Sequence, residues 1–74
     1  MAAIPYSVAE AFRNGRPAHS GAFVSTGDGL YSYALKIAQR DPATGEITIL
    51  VPLDSKGYSV TTSRHLSAAR GVLA

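Results

Sequence analysis

The chain has 74 residues, a formal net charge of +2 at pH 7, a hydrophobic fraction of 46% and no cysteine. This length allows one domain, and the lack of cysteine excludes disulfides, thiolate zinc sites and dithiol redox motifs. No apolar run approaches the ~18 residues of a membrane span, and the N-terminus lacks the basic and apolar blocks of a signal peptide. We therefore expect a cytoplasmic protein.

The first predicted element is a short helix over about residues 8–14. Ser7 and Glu10 have the spacing of a capping box, in which two side chains satisfy free amides at a helix start. Gly15 favours the left-handed conformation that ends many helices, and Pro17 prevents further helical turns.

An antiparallel meander is predicted for the middle of the chain, after a loop at 16–21. A short strand at 22–25 and a tight turn at 26–29 precede the longest strand, at 30–40, whose side chains alternate with period two. A hairpin loop built on a type I turn leads into a third strand at 46–51. We expect the covered face of this sheet to consist of Tyr31, Tyr33, Leu35, Ile37, Ile47, Ile49 and Val51.

The last third of the chain predicts a turn at 54–57, a short fourth strand at 58–60 and a helix at about 63–72. Candidate N-caps of that helix are Thr61, Thr62 and Ser63. The whole chain thus predicts a single α+β domain, with a three- to four-stranded antiparallel β-meander covered by an N-terminal short helix and a C-terminal helix.

Basic residues cluster towards the two ends of the sequence. Residues 11–27 and 55–74 contain basic side chains and no acid, whereas most of the acidic residues lie between these ranges. If the two ends pack side by side, they form a modest basic face. The alternative is that these charges only solvate the surface.

The histidines do not favour catalysis or metal binding. His19 and His65 have serines close by in sequence, but sequence adjacency does not build a catalytic triad. Neither histidine has a ligand-type spacing to a second one. We therefore expect a protein that is not an enzyme and that holds no metal and no cofactor.

Anion binding at the start of the last helix is a further candidate, because free amides and the helix dipole attract negative charge there. Arg64, His65 and Arg70 follow that start and would contact a phosphate or an acidic side chain. An ordinary cap with a solvated arginine is the alternative.

Tyr31 and Tyr33 have two interpretations. They alternate in phase with Leu35 and Ile37, which favours the core. Tyrosines near basic residues also stack on single-stranded nucleic acid and anchor protein interfaces. The chain has none of the sequence signatures of the common nucleic-acid-binding modules.

Two stretches carry a family resemblance: Ser-Thr-Gly-Asp-Gly-Leu-Tyr-Ser-Tyr at residues 25–33 and Tyr-Ser-Val-Thr-Thr-Ser-Arg-His at residues 58–65. We call them the 25–33 motif and the 58–65 motif. They resemble those of a family of small uncharacterised phage and mobile-element proteins, which has no agreed activity. As a small basic chain of this kind, the protein is also similar to anti-CRISPR inhibitors.

This resemblance implies a small phage-type protein that binds and inhibits a complex of the host cell, a CRISPR–Cas effector, and blocks its engagement of target DNA. The alternatives are a nucleic-acid-binding accessory or regulatory protein that uses a basic face, and a structural component of a phage particle. The sequence leaves the oligomeric state open. Candidate contact residues are Arg13, Arg16, Tyr31, Tyr33, Arg64, His65 and Arg70.

Overall fold

A computed structural model of the chain describes residues 6–53 and 57–73. Its elements, in chain order, are α1 (Tyr6–Arg13), β1 (Pro17–Ser20), β2 (Phe23–Thr26), β3 (Gly29–Ser32), β4 (Leu35–Arg40), β5 (Ile47–Ile49) and α2 (Val60–Leu73). The strands form one antiparallel five-stranded sheet whose spatial order is the chain order. The predicted α+β class is confirmed. Within the described ranges, neither helix is long and apolar enough to cross a membrane.

The sheet has more strands than the sequence predicts. The segment predicted as a loop at 16–21 contains β1, which pairs along its whole length with β2. The predicted strand at 30–40 is instead a hairpin, because the chain reverses at Tyr33 and Ala34 and Ser32 pairs with Leu35. The predicted strand at 58–60 is wrong, since Val60 already belongs to α2.

The prediction of the covered face is wrong for β3. Leu30 and Ser32 are buried beneath the helices, whereas Tyr31 lies on the opposite face and Tyr33 is 62% exposed. The turn after Ser32 and a register shift between Leu30 and Tyr31 interrupt the alternation of side chains between the two faces of the sheet. A single period-two pattern therefore does not run through β3 and β4. Ile49, predicted as covered, is 38% exposed on the short edge strand.

Both helices lie over one face of the sheet and pack against each other. The core between these layers is apolar and includes Val8, Ala9, Phe12, Phe23, Leu30, Ile37, Ala38, Leu66, Ala68 and Ala69. The other face of the sheet has no element packed on it among the described residues. The two helices, which lie towards the two ends of the chain, therefore form one layer.

The end of α1 forms as predicted. Gly15 has a φ of +74°, its amide bonds the carbonyl of Phe12, and the amide of Arg16 bonds the carbonyl of Ala11 at 2.8 Å. These paired contacts are a Schellman motif. The predicted capping box is wrong, because Tyr6 is already helical and Ser7 therefore lies inside the helix.

The start of α2 differs from the prediction. Ser59 is the N-cap: its hydroxyl accepts the amide of Thr62 at 3.2 Å and its carbonyl accepts the amide of Ser63 at 2.8 Å. Thr61, Thr62 and Ser63 are consequently part of the first turn and not its cap. Most of the predicted turn at 54–57 lies outside the described residues.

One arginine joins three segments at one end of the sheet. The guanidinium of Arg40 donates to the carbonyls of Phe12 and Arg13, which end α1. It also donates to the carbonyls of Gly27 and Gly45 at 3.3 and 3.1 Å. We call this end, with the turn at 27–28, the loop at 41–46 and the C-terminus of α1, the loop end.

Candidate functional site

The residues predicted as partner contacts do not converge on one surface. Arg13 is the last residue of α1 and Arg16 follows it, so both lie at the loop end. Nη1 of Arg13 lies 3.5 Å from the carbonyl oxygen of Val72, near the C-terminus of α2. Arg70 is exposed in the last turn of α2. Tyr31 lies on the face of the sheet opposite the helices.

Three of the predicted residues lie together at the opposite end of the molecule. The ring of Tyr33 lies 6.4 Å from that of His65, measured between centroids, at an angle of 39°. Arg64 precedes His65 on α2 and is exposed. We call the surface formed by Tyr33, Ala34 and the exposed residues Val60, Thr61 and Arg64 the tip.

His65 is the buried support of the tip and not part of its surface, since it is only 5% exposed. Its ring stacks on Phe23, with centroids 4.5 Å apart and planes within 6° of parallel. Its Nδ1 lies 2.7 Å from the hydroxyl of Ser32, which in turn lies 3.1 Å from the hydroxyl of Thr62. Burial lowers the pKa of His65 below 6.5, because desolvation penalises the charged imidazolium.

The hydrogens of this cluster have two self-consistent arrangements. If Nδ1 carries the proton, it donates to Ser32, and Ser32 donates to Thr62. If Nε2 carries the proton, Thr62 donates to Ser32, and Ser32 donates to Nδ1. Either way the buried hydroxyl of Ser32 is satisfied, and no buried side-chain nitrogen or oxygen of the described residues lacks a partner.

The Ser32–His65 contact has the length of a nucleophile–base pair, yet its setting is that of a core contact. Ser32 is 1% exposed, so a substrate carbonyl has no path to its hydroxyl. The group that orients the pair is the hydroxyl of Thr62, which bonds Ser32 and not the imidazole. What the cluster does is to fix α2 on β3.

Tyr33 is held in a conformation that its residue type disfavours. Its φ is +55°, and it is the one residue other than glycine with a positive φ in the described chain. The backbone is fixed there because the amide of Tyr33 donates to the carbonyl of Ala22, in the neighbouring turn, at 3.0 Å. A left-handed conformation costs an L-residue about 1–2 kcal/mol.

Charge is distributed unevenly between the two ends. Asp28, Asp41 and Glu46 lie in the turns of the loop end. The tip contains Arg64 and no acidic residue. Since α2 begins at the tip and its last turn meets Arg13 at the loop end, the exposed side of α2 presents Arg64 and Arg70 along its length.

The open face of the sheet has a second aromatic feature. A Cβ added at Gly29 would lie 2.7 Å from Cε1 of Tyr31, so the ring occupies the space that a side chain at position 29 would fill. The ammonium of Lys36, which pairs with Tyr31 across the strands, lies 5.9 Å from the ring centroid. His19 lies in the same cross-strand row, opposite Val24.

No family model, no curated protein and no solved structure matches the chain. The geometry of the two motifs is nevertheless informative. Ser32 from the 25–33 motif contacts Thr62 and His65 from the 58–65 motif. Ser25 receives the amide of Gly27 and donates to the carbonyl of Arg16. Several residues of the two motifs therefore make hydrogen bonds that hold the fold together.

Sequence reasoning missed Ser32 entirely and assigned Thr62 to the helix cap. The sequence did contain a hint of this contact, because Ser32 belongs to the 25–33 motif and His65 to the 58–65 motif. Their partnership spans 33 residues of sequence, and no local periodicity indicates it.

Proposed function

We propose that the protein is a binding protein that docks on a partner protein through the tip, with Tyr33 as its anchor. The observation that carries this proposal is the conformation and exposure of Tyr33, at a φ of +55° and 62% exposed. Glycine or asparagine would form the same turn with less strain. Beyond its contact with the ring of His65, an exposed aromatic residue in a strained conformation favours a contact outside the fold, and tyrosine is among the residues that dominate binding energies.

The surroundings of Tyr33 suit a protein partner. Val60 is 71% exposed at the start of α2, and Arg64 supplies an exposed cation on the same helix, whose described residues include no acidic side chain. An aromatic side chain, an aliphatic one and an arginine are typical of the centre of an interface. The partner surface that fits is an apolar pocket with an acidic rim.

The class of partner rests on the similarity of this small basic chain to anti-CRISPR inhibitors. On that ground the first partners to test are CRISPR effectors of a host cell, which the protein would bind and keep from engaging target DNA. The exposed Arg70 on α2 extends the same basic side and would add steering of the encounter more than affinity.

Nucleic-acid binding is a second candidate function, on a different surface. The ring of Tyr31 on the open face of the sheet, with the ammonium of Lys36 nearby, resembles the aromatic and basic pairs on which single-stranded nucleic acid stacks. The two functions use different surfaces, the tip and the open face of the sheet, so one variant on each surface separates them.

The test compares Arg64→Glu at the tip with Lys36→Glu on the open face of the sheet, which reverse one charge on each surface, and adds Tyr33→Asn at the tip. Binding of each protein to purified effector complexes, and inhibition of their binding to target DNA, would be measured beside binding to a single-stranded oligonucleotide at 50 and 200 mM salt. We expect Tyr33→Asn to weaken effector binding at least about 30-fold, as loss of a 2 kcal/mol anchor would. Arg64→Glu should weaken it as well, and Lys36→Glu should not.

Folding controls accompany these variants. Asparagine tolerates a positive φ better than tyrosine, so Tyr33→Asn should unfold at the same urea concentration as the parent protein or a higher one. Loss of binding without loss of stability supports the anchor. Unchanged effector binding by Tyr33→Asn would refute the tip, and tight salt-sensitive oligonucleotide binding lost in Lys36→Glu would establish the second function instead.

A partner other than a CRISPR effector would still test the tip. If none of the effectors binds, the assignment to CRISPR is wrong. A protein captured from a host lysate would then be purified and measured against the same variants, and equal affinity for Tyr33→Asn and the parent protein would end the proposal.

A further inference from the structure

At the edge of the sheet, β5 has backbone groups without a hydrogen-bond partner among the described residues. The amide of Leu50 bonds the carbonyl of Ile37, and the amide of Asp41 bonds the carbonyl of Glu46. Hydrogen-bonded and non-bonded pairs alternate along an antiparallel ladder, and Ile47 and Ile49 occupy the non-bonded positions opposite Arg40 and Ala38. Their N–H and C=O groups therefore point away from β4, into the edge.

The two edges of the sheet are treated differently. β1 begins with Pro17, and α1 packs along it, which are two of the devices that protect an edge from pairing. β5 contains no proline, lysine or bulge, and no described element other than β4 packs closely on it. Ile49 and Leu50 are 38% and 43% exposed at this edge.

The sequence of β5 is complementary to itself. Ile47, Thr48 and Ile49 read the same in both directions. If two copies pair antiparallel about a two-fold axis through Thr48, the outward groups of Ile47 in one copy meet those of Ile49 in the other, and each donor finds an acceptor. Thr48 then faces Thr48 of the second copy, and threonine pairs are favourable across strands.

We propose that β5 pairs with β5 of a second copy of this chain, so that two sheets join into one with all helices on the same face. The side chains agree with this arrangement. Ile47 faces Ile49 of the second copy on the helix side, which continues the apolar layer. On the open side, Glu46 lies opposite Leu50 of the second copy, so no like charges oppose each other.

The dimer is a weak one. Its contact consists of one short strand with a few apolar side chains, far less than the roughly 1,200–2,000 Å² buried by stable interfaces. Its dissociation constant therefore falls in the micromolar range or above, and the two species exchange readily. The interface is distinct from the tip, so each copy keeps Tyr33 free for its partner.

The decisive variant is Ile49→Pro, because it removes an amide that points to the edge and leaves the ladder with β4 intact. Its matched control is Ile49→Val, which keeps that amide. Val60→Lys controls for association through the most exposed apolar side chain given above. Sedimentation velocity from about 1 µM to 1 mM should show a concentration-dependent dimer, weakened at least tenfold by Ile49→Pro and less than threefold by the two controls.

Amide exchange in the parent protein provides a second measurement that requires no variant. The amides of Ile47 and Ile49 should exchange about fourfold more slowly at 1 mM than at 10 µM for a dissociation constant of about 100 µM, while other exposed amides do not change. Fast exchange of both amides at all concentrations would overturn the proposal. So would a monomer throughout the sedimentation series, or a dimer that Val60→Lys dissociates and Ile49→Pro does not.

Discussion

The hydroxyl of Ser32 lies 2.7 Å from Nδ1 of His65, and this contact joins the 25–33 motif on the sheet to the 58–65 motif on the helix. The ring of His65 also stacks on Phe23, so one side chain carries both a polar and an apolar link between the layers. A 74-residue chain without disulfides has little stability to spare. We therefore infer that the cluster contributes to choosing one position of α2 on the sheet.

Replacement of Ser32 by alanine should destabilise the protein by about 1–3 kcal/mol, because it leaves the imidazole Nδ1 and the hydroxyl of Thr62 without their shared partner in a buried site. The measurement is the free energy of unfolding from urea titration. Ser20→Ala on the exposed surface of β1 is the control and should change it by less than about 0.5 kcal/mol. Equal stability of the two variants would mean that the cluster is not structural.

The stability of the protein should fall as the pH drops below 6.5. Burial lowers the pKa of His65 in the folded state from its ordinary 6.5. Between the pKa of the folded state and that of the unfolded state, His65 is therefore protonated in the unfolded chain and neutral in the folded one. Above pH 6.5 both states are neutral at this residue and the full stability is present. In the window below, the free energy of unfolding falls by at most about 1.4 kcal/mol per pH unit for this one group.

The variants for this prediction are His65→Asn and His19→Asn. His65→Asn lowers the stability at every pH but should abolish the part of the slope that lies just below pH 6.5. His19 is exposed on β1, and its replacement should leave that slope in place. A slope that survives in His65→Asn would assign the acid sensitivity to other groups.

Local chemistry in the sequence predicted much of the fold. The hairpin turn at 26–29 contains Gly27, with a φ of +94°, and in the loop at 41–45 the carboxylate of Asp41 accepts the amide of Ala43 at 2.8 Å. Glycine and aspartate at such positions are strong turn signals. Together with Gly15 after α1, they fixed the order of helix, antiparallel strands and helix.

The break between β3 and β4 could not be predicted in this way. Tyr33 and Ala34 are not turn-forming residues, and the alternation of Tyr31, Tyr33 and Leu35 is that of one continuous strand. Tertiary contacts impose the turn. The amide of Tyr33 donates to the carbonyl of Ala22, and the hydroxyl of Ser32 bonds the hydroxyl of Thr62 on α2. The same error placed Tyr33 in the core, whereas it is 62% exposed at the tip.

Only part of the candidate site could be predicted. Tyr33 and Arg64 were identified by residue type alone, Tyr33 as an aromatic of the kind that anchors interfaces and Arg64 as a cation near the start of the last helix. They lie apart from Tyr31, Arg13 and Arg16. That separation could not be predicted, because the alternation of side chains between the two faces of the sheet is interrupted at the turn after Ser32. His65 was identified too, but its burial depends on the long-range contacts with Phe23 and Ser32.

Replacement of Arg40 by lysine should show that the several N–H donors of its guanidinium, and not its charge alone, hold the segments of the loop end together. The guanidinium donates to the carbonyls of Phe12, Arg13, Gly27 and Gly45, and an ammonium cannot reach acceptors in three segments at once. We expect a loss of about 2 kcal/mol in the free energy of unfolding, with faster amide exchange in the loop at 41–46. Arg64→Lys at the exposed surface of α2 is the matched control and should change stability by less than about 0.5 kcal/mol. If Arg40→Lys is as stable as that control, attraction of a positive charge to the C-terminus of α1 is sufficient and the individual hydrogen bonds are not needed.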